Sequence, residues 1–223
     1  MPWSYPVHGT TFNSHLTPPF SQPSPLTICA ISPTVSLRDW PYERNAGLGG
    51  SGAWALLMGK DGVNAELDLG VGWQDPAVIA ETGLCVWRSG ARPELEFKGN
   101  AEFLRGRMAL YWTGSSHDTP GVAKNNRDFD AIARAGKAAR DAAWASSLAG
   151  LAAAVRQSYA VQLDEGMAPL STGELPVKPL AWKYSGGGFG GYALYLCETV
   201  RERDRLCTVA GFRPIEPYVL SNR

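Results

Sequence analysis

Apolar residues in this chain fall into short runs broken by glycine and proline, and each run carries its own period. Leu26-Thr27-Ile28-Cys29-Ala30-Ile31 and Thr34-Val35-Ser36-Leu37, on either side of Pro33, predict two strands. Leu84-Cys85-Val86-Trp87 and Glu94-Leu95-Glu96-Phe97, separated by Ser89-Gly90, predict a β-hairpin. Met108-Ala109-Leu110-Tyr111-Trp112 predicts a strand ending at Thr113-Gly114, and Tyr192-Ala193-Leu194-Tyr195-Leu196 another. From Phe129 to about Leu163 the period is helical. That stretch is Ala-rich, with Leu148, Leu151, Val155 and Tyr159 on one face, and Gly136 and Gly150 are expected to divide or loosen it. After the turn at Lys60-Asp61-Gly62, Asn64 is expected to cap a short helix running to Leu69. The last third, through Thr208-Val209-Ala210-Gly211-Phe212, alternates strand and helix, while residues 1–25 are rich in proline and serine and read as an extended arm. The sum is an α+β protein without an internal repeat.

Two glycine-rich segments interrupt this pattern: Gly47-Leu48-Gly49-Gly50-Ser51-Gly52 and Gly186-Gly187-Gly188-Phe189-Gly190-Gly191. Without Cβ atoms such segments reach φ > 0 and bring backbone N–H groups close to an anion, so two of them point to a nucleotide. Both match G-x-G-x-x-G, but a dinucleotide site needs a buried strand before the loop. The lead-in to the first loop, Arg38-Asp39-Trp40-Pro41-Tyr42-Glu43-Arg44-Asn45, is too polar for that, which disfavours a Rossmann oxidoreductase. Ala53-Trp54-Ala55-Leu56-Leu57-Met58 then predicts a helix opening from the glycines, its positive end toward a bound phosphate.

The order of motifs resembles the GHMP kinases, the superfamily of galactokinase, homoserine kinase and mevalonate kinase. Asn45-Ala46-Gly47-Leu48-Gly49-Gly50-Ser51-Gly52-Ala53 is similar to the family phosphate loop, and Lys183-Tyr184-Ser185-Gly186-Gly187-Gly188-Phe189-Gly190-Gly191 to its late glycine motif. Glu66-Leu67-Asp68-Leu69-Gly70-Val71-Gly72-Trp73-Gln74-Asp75 and Tyr111-Trp112-Thr113-Gly114-Ser115-Ser116 resemble segments of the sugar-kinase branch that includes heptose 7-phosphate kinase and fucokinase. The resemblance covers residues 45 to 196, and the chain reaches its phosphate loop by residue 47, earlier than family members do. It implies a two-layer fold with a reduced S5 domain 2-like N-terminal lobe over 1–105, carrying the phosphate loop, and a ferredoxin-like C-terminal lobe over 106–223. It also implies ATP and Mg as cofactors and phosphoryl transfer to a sugar or sugar phosphate.

On that resemblance Gly47, Leu48, Gly49, Gly50, Ser51 and Gly52 hold the nucleotide phosphates, Ser51 and Glu66 the metal, and Asp75 acts on the acceptor hydroxyl. Trp73, Gln74, Thr113, Gly114, Gly186, Gly187 and Gly188 would line the substrate. Plainer readings stand beside these. Asp75 before Pro76 also reads as an N-cap, Ser51 as a helix cap, Glu66 as a solvated helix residue with Asp68 its rival, and Thr113-Gly114 as a strand end. Lys183 reads as a surface lysine or as a cation that neutralises phosphate. A non-catalytic relative that binds a nucleotide, sugar or partner protein through the inherited cleft is the second functional reading. The eight tryptophans fit it, because indole faces stack on sugar rings.

Composition narrows the partners. With 21 basic and 21 acidic side chains the formal charge is zero, which argues against nucleic acid or an anionic membrane as the primary partner. No apolar run approaches a membrane span, and prolines break the N-terminus where a signal peptide needs a continuous apolar core, so a cytoplasmic protein is expected, with a homodimer left open. Cys29, Cys85, Cys197 and Cys207 contain no C-x-x-C pair, and His8, His15 and His117 lack metal-ligand spacing.

Overall fold

A computed structural model describes residues 27–31, 33–34, 58–68, 73–81, 83–89, 93–116, 127–170 and 174–217. Two antiparallel sheets organise them. Strands β1 (Thr27–Ile31), β3 (Leu84–Arg88) and β4 (Glu94–Gly99) form the first, in the order β1-β3-β4. The second runs β2-β8-β5-β7-β6, from β2 (Pro33–Thr34), β5 (Met108–Trp112), β6 (Ala181–Tyr184), β7 (Tyr192–Leu196) and β8 (Phe212–Pro217). Helices α1 (Gly62–Asp68), α2 (Gln74–Ala80), α3 (Phe129–Trp144), α4 (Leu148–Asp164) and α5 (Val200–Leu206) complete the described elements.

Strand β3 is buried along Leu84 to Trp87 because both faces of the first sheet are covered, which explains its unbroken apolar run. Cys85 and Trp87 pack with Trp73 and Ala77 beneath α1 and α2, while Leu84 and Val86 meet Ala101 and Ala143 on the other side. A register shift between Val86 and Trp87 lets Leu95 oppose Trp87 and Phe97 oppose Val86, so two residues of equal parity on β4 serve opposite faces.

In the second sheet the alternation is regular. Met108, Leu110, Tyr192 and Leu196 face Leu151, Ala152 and Val155 of α4. Ala109, Ala193 and Tyr195 face the opposite way, toward Leu206, Phe212 and the segment carrying Met167 and Leu170. A capping box starts α5: Thr199 accepts from the Glu202 N–H and Glu202 reaches back to the Thr199 N–H. Buried Arg203 then pairs with Glu216 on β8 at 2.8 Å, and Glu216 also accepts the Gly106 N–H at 2.6 Å, pinning the turn before β5.

The helical stretch after residue 129 forms as expected but breaks elsewhere. Gly136 and Gly150 lie inside α3 and α4, and the chain turns at Ala145-Ser146-Ser147, where Ser146 takes φ 48° and Ser147 caps α4 by accepting the Gly150 N–H at 3.1 Å. The break follows capping chemistry, not glycine. Likewise Asp61, not Asn64, caps α1: its carboxylate accepts the Asn64 N–H at 3.1 Å; Leu69, the expected last residue of the helix, lies outside the described residues. The predicted helix over 53–57 and the rest of the strand after Thr34 lie outside the described residues.

Strand β6 is an edge, and a side chain closes it. Buried Gln162 of α4 accepts the Tyr184 N–H at 3.0 Å and donates to the Tyr184 carbonyl at 3.2 Å, standing in for a neighbouring strand. Replacing Gln162 by Leu leaves both groups buried and unpaired, at about 1–3 kcal/mol each. Urea unfolding of Gln162→Leu is expected to show a loss of about 2–4 kcal/mol, against about 0.5 kcal/mol or less for Gln157→Leu on the exposed side of the same helix.

Candidate functional site

The second glycine loop is the best-defined part of the site. It leaves β6 at Ser185, whose N–H bonds the Tyr192 carbonyl at 2.8 Å, and returns into β7. Gly186, Gly188, Phe189, Gly190 and Gly191 all take φ between 54° and 110°, which explains the run of glycines. Phe189 bears that strain because its ring packs into the aromatic cluster on the second face of the sheet. Among the described residues the N–H groups of Gly186, Gly187, Phe189 and Gly190 have no protein partner. Four unpaired N–H donors on one glycine-rich loop are groups of the kind that bond an oxyanion.

The segment after β5 clasps this loop. The Thr113 N–H donates to the Gly191 carbonyl at 3.1 Å, the Thr113 hydroxyl to the same oxygen at 2.7 Å, and the Gly191 N–H to the Ser115 carbonyl at 2.8 Å. Thr113 thereby spends its hydroxyl on the loop. Gly114 is exposed with φ 82° and open space beside it. The structure thus joins the segment that carries Thr113 and Gly114 to the end of the late loop, at Gly190 and Gly191, while Gly186 and Gly187 lie beside Arg127 and Gly188 beside Met167.

A second group sits on the first sheet. Glu66, on α1, is 8% exposed, so the solvated-residue reading does not hold. Trp73 precedes α2, 7% exposed, with its ring 5.7 Å from Trp87 in an edge-on contact. Gln74 and Asp75 open the helix. The N-cap position falls on Trp73 with no side-chain cap bond, so Asp75 occupies the second helical position and Pro76 the third. The cap reading of Asp75 is therefore replaced; Pro76 fits there because first-turn N–H groups have no intrahelical partner. Gly47, Leu48, Gly49, Gly50, Ser51 and Gly52 lie outside the described residues.

Lys183 is the unusual charge. It is half-buried on β6 and lines a cavity of about 70 Å³ with Arg127, Ser158, Gln162, Glu165 and Gly187. Burial pushes its ammonium down to about 8, so the surface-lysine reading is corrected. Arg127, Gln162 and Glu165 were missed from sequence. Ser158 and Gln162 on α4 and Glu165 at its C-cap recur at i, i+4 and i+7, a polar stripe that could have flagged them. The thiols of Cys197 and Cys207 are pushed up to about 12 and about 11 by burial, which suits inert packing. No group of three His, Cys, Asp or Glu side chains converges among the described residues.

No protein-family model matches this sequence, and no curated protein matches it. Solved structures do. The chain is similar to a D-glycero-D-manno-heptose 1-phosphate kinase from Bacteroides thetaiotaomicron, at 17% identity and TM-score 0.55, over 79% of this chain and 62% of that one. Galactokinase of Lactococcus lactis, solved with galactose, gives 15% identity and 0.54 over 79% and 67%. Mevalonate kinase of L. major, solved with R-mevalonate, gives 19% and 0.51 over 66% and 51%. These are kinases of the GHMP family, and this chain shares their fold. It spans 62% of the heptose kinase's length.

Two outcomes test the geometry. A Cβ on Gly190 would lie 2.6 Å from the Ser116 carbonyl oxygen at φ 110°, so Gly190→Ala is expected to lower the midpoint of thermal unfolding, whereas Gly114→Ala meets no atom and loses less. For Lys183, the unfolded chain keeps its proton up to about 10.5 while the folded group loses it near 8. Stability therefore rises with pH across that window, and below it the cost of burying the ammonium is fully present. Urea titrations should show Lys183→Met most stabilised relative to the parent at pH 7, with the gap narrowing toward pH 10.5.

Proposed function

We propose that this protein is a GHMP-type phosphotransferase that moves the γ-phosphoryl group of MgATP to a hydroxyl of a sugar or sugar phosphate. The observation that carries the reading is the set of free N–H donors at Gly186, Gly187, Phe189 and Gly190, held in the fold of small-molecule kinases. Those donors fit a phosphate-bearing cofactor. ATP supplies the transferable group, and magnesium neutralises its oxygens. The chain's own part is positioning and charge. On this reading the first glycine loop and Ser51 hold phosphate oxygens, Glu66 and Ser51 the metal, and Asp75 orients or deprotonates the acceptor from the first turn of α2. Trp73 backs the acceptor pocket from the core, Gln74 contacts the acceptor, and Thr113 with Gly114 holds the late loop in place.

The strand order β8-β5-β7-β6, reached through β5, the α3–α4 pair, β6, β7, α5 and β8, supports a ferredoxin-like C-terminal lobe over 106–223. The three-stranded sheet with α1 and α2 would then belong to an N-terminal lobe over 1–105. No helix among the described residues is long and apolar enough to cross a membrane, in keeping with a cytoplasmic enzyme.

ATP consumption against heptoses, fucose, galactose and their phosphates tests the proposal. Asp75→Asn is expected to lower kcat by about 10²–10⁴ with KM little changed, because the carboxylate acts in the transition state. Ser51→Ala and Gly49→Val should weaken MgATP binding in calorimetry while leaving the ligand-free midpoint of unfolding unchanged. Turnover retained in Asp75→Asn removes its catalytic assignment. A parent that turns over no acceptor is a non-catalytic relative.

A further inference from the structure

The cavity under the second glycine loop has a donor–acceptor pattern that the kinase reading does not use. Two cations, Arg127 and Lys183, and one carboxylate, Glu165, line it. One Glu165 carboxylate oxygen is buried without a hydrogen-bond partner, and among the described residues the Lys183 ammonium makes neither a hydrogen bond nor an ion pair. Lys183 and Glu165 thus border one space without neutralising each other. Gln162 has its carbonyl and one N–H committed to Tyr184, and Arg127 reaches the Gly187 carbonyl at 3.5 Å, which leaves most of its donors unassigned. At about 70 Å³ the space exceeds the ~10–15 Å³ that admits one water, and holds a small polyatomic ion.

A carboxylate on the wall beside two cations selects for a ligand that is both an anion and a proton donor. A fully ionised oxyanion satisfies the cations and repels Glu165. One that retains a hydroxyl donates it to Glu165 and accepts from Lys183 and Arg127, so each polar group is paired. We propose that this cavity is a binding site for a protonated phosphate group, free or at the end of a small ester, held by Lys183 and Arg127 and identified by Glu165. Its charge balance, two cations against one carboxylate, matches a monoanion. The titratable groups facing it are Arg127 from the segment before α3, Glu165 from the C-cap of α4 and Lys183 from β6. A bound anion favours charged Lys183, so the lysine's depressed value rises on binding. Gly186 and Gly187 share the wall, so an occupied site braces the loop.

Calorimetry and ³¹P NMR on the full chain at pH about 6, where a phosphate ester still keeps a proton in part, test this without any kinase turnover. Inorganic phosphate is expected to bind at least about tenfold more tightly than sulfate, which has no proton to give Glu165. Glu165→Gln supplies an N–H in place of the acceptor and should abolish that preference by admitting sulfate. Lys183→Met should weaken phosphate about tenfold or more, and circular dichroism with thermal unfolding checks that both variants fold. Glycerol phosphate binding as well as free phosphate assigns the site to an ester head; its exclusion assigns it to the free ion. No phosphate binding by the parent, equal binding of sulfate, or a preference that survives Glu165→Gln overturns the proposal, whatever the chain does with ATP.

Discussion

Gly191 is the residue on which the late loop turns. Its carbonyl receives both the N–H and the hydroxyl of Thr113, and its own N–H reaches the Ser115 carbonyl. These bonds continue the β5–β7 pairing past its last register pair, Trp112 with Tyr192, so the glycine loop extends the two strands instead of hanging between them. A connection anchored this way has its far end fixed at Gly191, where a change of φ would break bonds to the segment that follows β5. The free N–H donors owe their fixed arrangement to that clasp, and so does the requirement for glycine at 190, where the Ser116 carbonyl leaves no room for a Cβ.

The central strand reaches outward from there. β5 pairs with β7 on one side and β8 on the other, and Glu216 of β8 holds the turn that feeds β5. Helix α3 couples this sheet to the smaller one. Its consecutive residues Ala142 and Ala143 belong to different cores, the first with Leu151 and Tyr192, the second with Leu84 and Val86. Larger side chains there would hold one of the two sheets away, which gives the alanine-rich composition a packing reason beyond helix propensity. β1 and β2 make a second junction, since Ile31 ends a strand of one sheet and Pro33 begins a strand of the other.

Much of this was legible in the sequence because strand and helix periods differ. The hairpin at Leu84 and Glu94, the strands at Met108 and Tyr192, and the apolar face of Leu148, Leu151 and Val155 all follow from periodicity, and all form, while Tyr159 of the same predicted face packs with the second core. Boundaries did not, because capping competes with propensity: Ser147 and Asp61 start helices where glycine and Asn64 were expected to matter. The glycine loop was visible as composition, but its clasp to Thr113 joins residues nearly eighty positions apart and has no local signal. The bulge that sends Leu95 and Phe97 to opposite faces is hidden for a similar reason, since it is defined by the partner strand.

The polar stripe of α4 shows how far one helix face can depart from packing rules. Gln162 pairs its carbonyl and one N–H with the two backbone groups of Tyr184. One turn on, one oxygen of Glu165 lies buried and unpaired, while Lys183 across the cavity bears a desolvated ammonium. A core under selection for stability alone would join these charges or replace both with aliphatic residues. Holding them apart keeps the pair from neutralising itself and preserves space between them. Among the described residues the indole N–H groups of Trp87 and Trp182 and the Tyr195 hydroxyl are also buried without a partner, but these are neutral groups. The two charges face the wall that carries Gly186 and Gly187, where unsatisfied polarity is expected in a part of the fold that works on something other than itself.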